Sequence, residues 1–136
     1  MRKLWGLLIF AALVAFLGAE LKRGIDLVCD SIGFDDYLED ADLVLVGEGR
    51  IDLQTAFGKS AVGIAGRAKK AGKPVAAICG ELGEGYERVL EHGIDYVTSI
   101  QIPGMDKEES MRNAAALLRD AAARVVRQFA QHRQLN

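Results

Sequence analysis

The chain alternates short apolar runs with longer segments of helical periodicity. Three runs have the length of strands and are rich in Val and Ile, at 42–46, 74–79 and 96–100. Each run is apolar on both faces and is followed, directly or within a few residues, by glycine. Strands of this kind are typical of a parallel sheet that helices cover on both sides.

Helical segments lie before, between and after these runs. The predicted helices cover 11–21, 25–38 with a break near Gly33, 60–71, 85–91, and a long final segment in which apolar residues recur from 111 to 129. Strands that alternate with helices indicate βαβ units and a small parallel sheet of about three strands. We therefore predict one α/β domain over 1–136, a Rossmann-like three-layer arrangement that is a partial domain. A sheet this small is expected to leave an edge unpaired.

The first 22 residues are predicted to form an apolar helix. Leu4 to Ala19 carries no charge and follows two basic residues, a pattern that signal peptides and membrane anchors share. Sixteen helical residues span about 24 Å, short of a hydrocarbon core of roughly 30 Å. Cleavage after Gly18 or Ala19 would violate the small-x-small rule. A helix buried on all sides explains the same composition, so both interpretations stay open from the residues alone.

Composition and charge exclude several classes of function. The hydrophobic share of 50% excludes a disordered chain. Lys and Arg number 17 against 19 Asp and Glu, so no basic surplus is available for nucleic acid. Cys29 and Cys79 have neither a zinc nor a CxxC spacing and lie in apolar surroundings. We expect two buried free thiols in a cytoplasmic protein.

The segment after the first predicted strand concentrates reactive side chains. Ligands of open α/β sheets bind at the carboxyl ends of the strands. Within twelve positions this segment holds Glu48, Arg50, Asp52, Gln54, Thr55 and Lys59. A helix that begins at Ser60 would add free N–H groups that favour an anion beside Lys59. Neither a P-loop nor a dinucleotide fingerprint matches here. The glycine-rich segment 80–85 is explained equally well by a ligand loop and by a tight turn.

The string from Val46 to Asp52, Val-Gly-Glu-Gly-Arg-Ile-Asp, followed by Gln-Thr and Gly-Lys, resembles the signature of the bacterial glycerate kinase family. The similarity runs from about Ala11 into the final helix. Members of that family are nearly three times longer, so the likeness covers only their C-terminal part. The resemblance implies ATP-dependent phosphorylation of glycerate with Mg²⁺. It also makes 11–21 a family helix, which disfavours a signal or anchor.

The resemblance and the chemistry of the residues imply roles for the whole segment. The expected catalytic residues are Glu48, Arg50, Asp52 and Lys59, with Mg²⁺ on Asp52 or Glu48; the expected substrate-binding residues are Gly47, Gly49, Gln54, Thr55, Gly58 and Ser60. Glycerate and ATP are the expected partners, and neither nucleic acid nor a membrane is expected. The alternative is a non-catalytic fragment, or a subunit that binds phosphate or glycerate weakly. A homo-oligomer or a companion chain would then complete the fold.

Overall fold

The computed structural model describes residues 2–57 and 60–134. The described elements, in chain order, are α1 (Arg2–Leu17), α2 (Gly24–Ser31), α3 (Phe34–Glu39), β1 (Val44–Ile51), α4 (Leu53–Ala56), α5 (Ser60–Lys70), β2 (Val75–Leu82), a 3₁₀ helix (Tyr86–His92), β3 (Tyr96–Ser99), α6 (Lys107–Arg112) and α7 (Ala114–Gln134).

The three strands form one parallel sheet in the order β1-β2-β3. Val44 pairs with Val75, and Ala76 pairs with Tyr96. This confirms the predicted fold class. Because β2 is the middle strand, β1 and β3 both form edges of the described sheet, as a small sheet requires.

Helices cover β2 on both faces, which gives the predicted three layers. On one face Val75, Ala77 and Cys79 belong to a core shared with α5. On the opposite face Ala76 and Ile78 pack against apolar residues of α7. All five of these β2 residues are buried, so the continuous apolar run reflects burial on two sides. Cys29 and Cys79 are both buried free thiols, as expected.

Several element boundaries differ from the sequence prediction, and the helix predicted over 11–21 ends at Leu17. β1 continues to Ile51 and β2 to Leu82, so the first residues of both predicted ligand loops belong to paired strands. The glycines and charges that suggested loops are compatible with pairing because a ladder needs only backbone groups. The predicted final helix is divided at Asn113, which caps α6.

Helix α1 spans Arg2–Leu17, and its described side chains are exposed. Trp5 is 66% and Phe16 85% exposed. The described residues of α1 are therefore not covered by the rest of this chain. Among the described residues, no helix combines the length and the apolarity needed to cross a bilayer.

Helices α2 and α3 are attached to α5 by apolar and ionic contacts. An ideal Cβ at Gly63 of α5 would lie 2.6 Å from the Ile25 side chain, so α2 packs directly on the helix backbone. Arg67 of α5, mostly buried, donates to Asp30 of α2 at 2.6 Å and to Asp35 of α3 at 3.1 Å. Hydrogen bonding to Asp30 raises the pKa of the Arg67 guanidinium. One charged side chain thus fixes both helices against α5.

Substitution of the two α5 glycines should separate packing from helix propensity. We expect Gly63→Ala to destabilise the chain by about 1–3 kcal/mol because Ile25 must move. Gly66→Ala meets open space in the same helix and should raise the free energy of unfolding by about 0.5–1 kcal/mol. Urea unfolding measures both values. Equal effects would contradict close α2–α5 packing.

Asp26 should make the free energy of unfolding depend on pH in the acidic range. Hydrogen bonding to Arg23, together with the charge of Arg67, holds the pKa of Asp26 below its ordinary value of 3.8. A lowered carboxyl pKa stabilises the fold at all pH above the unfolded-state value, and that contribution disappears as pH falls through the folded-state value. The difference in unfolding free energy between wild type and Asp26→Asn should therefore be constant near neutrality and shrink below pH 3.8. A difference unchanged down to about pH 2.5 would contradict this assignment.

Candidate functional site

Polar residues that follow the buried parts of β1 and β2 lie together at the carboxyl edge of the sheet. Arg50 and Glu81 are register partners, and Arg50 Nη1 lies 3.1 Å from Glu81 Oε1. Arg50 Nε lies 3.3 Å from Asp52 Oδ2. The Arg50 side chain nevertheless stays 53% exposed. Two carboxylates therefore orient a guanidinium whose remaining donors are open to a ligand.

Gly83 leaves the space that this guanidinium occupies. A Cβ at residue 83 would lie 2.8 Å from Arg50 Nε and 2.9 Å from Asp52 Cβ. The Gly83 N–H donates to the Ile51 carbonyl at 2.7 Å, which holds the turn after β2 against the end of β1. Any larger residue at 83 would displace the arginine.

The two strands approach each other closely where Gly80 faces Gly49. A Cβ at Gly80 would lie only 2.6 Å from the Gly49 carbonyl oxygen. Val46 and Ile51 both belong to the core on the α5 side although they are five residues apart. Side chains alternate between the two faces of a regular strand, so residues five apart should point to opposite faces. The alternation is therefore interrupted between Val46 and Ile51, in the Gly-Glu-Gly segment. The predicted site residues Gly47 and Gly49 thus lie within strand β1 rather than in a loop.

Asp52 is held in place by the helix that it caps. Its side chain accepts from the Gln54 N–H at 3.0 Å, and its own N–H donates to Thr55 Oγ1 at 3.2 Å, which forms a capping box on α4. Thr55 is fully buried and Gln54 is exposed. In the structure, the Thr55 hydroxyl thus accepts a hydrogen bond from Asp52. The prediction that Gln54 and Thr55 contact a substrate stays a prediction.

Glu48 lies in a neighbouring cleft. It is half-buried and lines a space of about 490 Å³ together with Cys79, Gly80 and residues of α7 that include Leu118. Burial raises the pKa of the Cys79 thiol, so this sulfur stays protonated at neutral pH. Glu48 is thus the ionisable side chain of the cleft that is available to act as a base or a ligand.

A second groove shares the strand ends with this cleft. It encloses about 810 Å³ and is lined by Arg50, Glu81, Gln101 and Lys107 among others. Sequence reasoning singled out Arg50 but missed Glu81 and Lys107. The repeated Gly-Glu pair at 47–48 and 80–81 could have indicated Glu81, because parallel strands that end in the same pair bring both to one edge. No comparable signal marks Lys107.

The fit to Mg²⁺ differs between the two predicted ligands. Asp52 Oδ1 accepts from Gln54, and Asp52 Oδ2 faces Arg50, so both oxygens are engaged. Glu48 has its carboxylate in an open cleft. Within residues 2–57 and 60–134, no three His, Cys, Asp or Glu residues are grouped to hold a metal. Mg²⁺ needs only one or two carboxylates when substrate phosphates supply further oxygens, so Glu48 fits that role better than Asp52.

The remaining predicted site residues are 58–60. Ser60 is the first residue of α5. The predictions for Gly58 and Lys59 lie outside the described residues.

The fold and the position of these side chains define an α/β protein with a polar site at the carboxyl edge of a parallel sheet. The model of the glycerate kinase family matches residues 9–130. A glycerate kinase of Halalkalibacterium halodurans is 47% identical over 115 residues, 85% of this chain and 30% of that protein. The glycerate 2-kinase of Escherichia coli K12 is 45% identical over 104 residues, 76% of this chain and 27% of that protein.

A solved structure agrees with the sequence comparisons. The chain of a protein assigned as glycerate kinase 2 from Salmonella typhimurium LT2 superposes with a TM-score of 0.62 at 39% identity, over 93% of this chain and 31% of that one. This chain belongs to the glycerate kinase family. It spans about 30% of the length of these relatives.

The close approach of Gly80 to the Gly49 carbonyl can be tested by substitution. We expect Gly80→Ala to lower the free energy of unfolding by about 1–3 kcal/mol, since its Cβ would press on a backbone oxygen that cannot rotate away. Gly47→Ala, where a Cβ meets open space, serves as the control. Chemical denaturation of both variants measures the difference, and equal stabilities would show that the strands separate without cost.

Proposed function

We propose that this chain supplies the acceptor-binding part of an ATP-dependent glycerate kinase. The observation that carries the proposal is Arg50, half-exposed at the carboxyl edge of the sheet and oriented by Asp52 and Glu81. A planar guanidinium with free donors recognises a carboxylate through two parallel hydrogen bonds. Membership of the glycerate kinase family makes the carboxylate of glycerate the corresponding substrate group.

The roles of the acidic residues follow from their surroundings. Asp52 holds the Nε side of Arg50 and caps α4, so it positions the arginine. Glu48, in its half-buried cleft, is the candidate that accepts the proton of the attacking hydroxyl or holds Mg²⁺. Mg²⁺ bound with ATP would neutralise charge on the phosphates. Lys59 stays the proposed phosphate-binding cation from its place in the sequence.

Glycerate binding by the full chain tests the role of Arg50. We expect D-glycerate to bind in calorimetry and Arg50→Lys to weaken it at least about tenfold, because an ammonium loses the bidentate geometry. Arg119→Lys, on the exposed surface of α7, should leave the affinity unchanged. Binding that is absent, or equal in all three proteins, would overturn the proposal.

Phosphoryl transfer from ATP to D-glycerate then separates an enzyme from a binding fragment. Turnover with Mg²⁺ that Lys59→Ala abolishes would assign the catalytic site to this chain. Binding without turnover would favour the alternative of a fragment whose activity needs further polypeptide. Electrostatic stabilisation weakens in an open, hydrated site, and the half-exposed Arg50 indicates such a site.

A further inference from the structure

The hydroxyl of Ser110 faces the groove beside Arg50. Ser110 lies in α6 and is only 7% exposed, yet it lines this groove of about 810 Å³. Over residues 2–57 and 60–134 the hydroxyl makes no hydrogen bond, whereas every fully buried side-chain nitrogen or oxygen there has a partner. The Ser110 oxygen is therefore not enclosed in the core but reaches the surface of the groove. A hydroxyl in this position can donate to a ligand and accept from it.

The Lys107 ammonium lines the same groove. Lys107 precedes Ser110 by three residues in α6, so the two side chains lie on one face of the helix. Lys107 is exposed, and in the described part of the chain it makes no ion pair or hydrogen bond through its ammonium. The adjacent Asp106 carboxylate is engaged elsewhere, because it accepts from the Glu109 N–H at 2.7 Å.

The charges that line the groove form two parts. At the strand ends Arg50 is balanced by Glu81, whose carboxylate lies 3.1 Å from it. Among the described lining residues, Lys107 is then the cation that no lining carboxylate balances. A planar guanidinium suits a carboxylate, whereas a compact ammonium is a point charge that suits the oxygens of a phosphoryl group. The two parts therefore differ in the anion that each binds best.

We propose that Lys107 and Ser110 bind the phosphoryl group of a phosphoglycerate whose carboxylate is held by Arg50. All three residues line one groove, and its volume lies within the range of about 300–1,000 Å³ that is usual for small-molecule sites. An acid that carries a phosphate ester presents one anion to each part of the groove. Glycerate lacks the second anion, so this subsite favours the phosphorylated product. The proposal rests on the carboxylate-binding role proposed for Arg50.

Calorimetry with the full 136-residue chain tests the role of Lys107. We expect 2-phospho-D-glycerate or 3-phospho-D-glycerate to bind at least about tenfold more tightly than D-glycerate, because charge-assisted hydrogen bonds are added. Lys107→Gln should remove most of this advantage and leave the affinity for D-glycerate unchanged. Lys70→Gln is the matched control, since Lys70 is also exposed but lies at the end of α5.

Two failures can be told apart in this experiment. Equal affinities for D-glycerate and both phosphoglycerates, or equal losses in the two lysine variants, would overturn the phosphoryl subsite. Arg50→Lys should instead weaken D-glycerate and the phosphoglycerates alike. If D-glycerate binds and responds to Arg50→Lys while Lys107→Gln changes nothing, the proposed function stands and the subsite is wrong.

Ser110→Ala separates a ligand contact from a structural role. Because the hydroxyl has no partner within the described residues, its removal should leave the urea midpoint unchanged or raise it. The affinity for the phosphoglycerate should nevertheless fall about threefold or more, as one hydrogen bond is lost. Ser31→Ala is the control, since that hydroxyl donates to the Leu27 carbonyl at 2.7 Å in α2. A lowered midpoint with unchanged affinity would overturn the assignment of Ser110.

A non-hydrolysable ATP analogue with Mg²⁺ distinguishes the two sources of a phosphoryl group. We expect its affinity to be the same in wild type and Lys107→Gln, because the proposed contact is made to the phosphoryl group on the acceptor. An analogue that Lys107→Gln weakens, together with phosphoglycerate binding that it leaves intact, would overturn the proposal in favour of a donor site.

Discussion

The approach of the Gly80 backbone to the Gly49 carbonyl is the constraint on which the site depends. Two parallel strands that carry side chains at this point would be held apart by a Cβ only 2.6 Å from an oxygen. With glycine there, pairing continues to Arg50 and Glu81. The same pairing sets Gly83 beneath the guanidinium and leads into the cap at Asp52. Backbone geometry, rather than a flexible loop, thus positions the charged groups.

The electrostatics of the site follow from this rigidity. Arg50 is balanced by Asp52 and Glu81, so its charge is partly neutralised before any ligand arrives. An incoming anion would bind the donors that remain exposed, and the fixed position of Arg50 reduces the entropy lost when it binds. Arg67 plays a comparable role elsewhere, where three aspartates of α2 and α3 converge on one mostly buried guanidinium. In both places an arginine joins elements that are distant in sequence.

Hydropathy predicted the strands, the three layers and most helices because burial on two faces leaves a continuous apolar run. It placed the ends of β1 and β2 too early, since glycine and charge in Gly47–Arg50 resemble a loop when pairing partners are unknown. Glu81 was missed for the same reason, because its pairing with Arg50 depends on the register of the two strands. The exposure of α1 could not be predicted either, because an apolar helix has the same sequence whether or not this chain supplies its cover. The site segment itself was identified, because its concentration of charged and polar residues can be recognised even when its secondary structure is predicted wrongly.

The parallel register also places paired residues far apart in sequence. Each paired β1 residue has its partner 31 positions later, and each paired β2 residue has its β3 partner 20 positions later. Such contacts require loops to close before they stabilise anything, and folding slows as their sequence separation grows. During synthesis, β1 emerges from the ribosome well before β2 can pair with it. Its apolar side chains therefore stay uncovered, and open to chaperones and to aggregation, until β2 has also emerged.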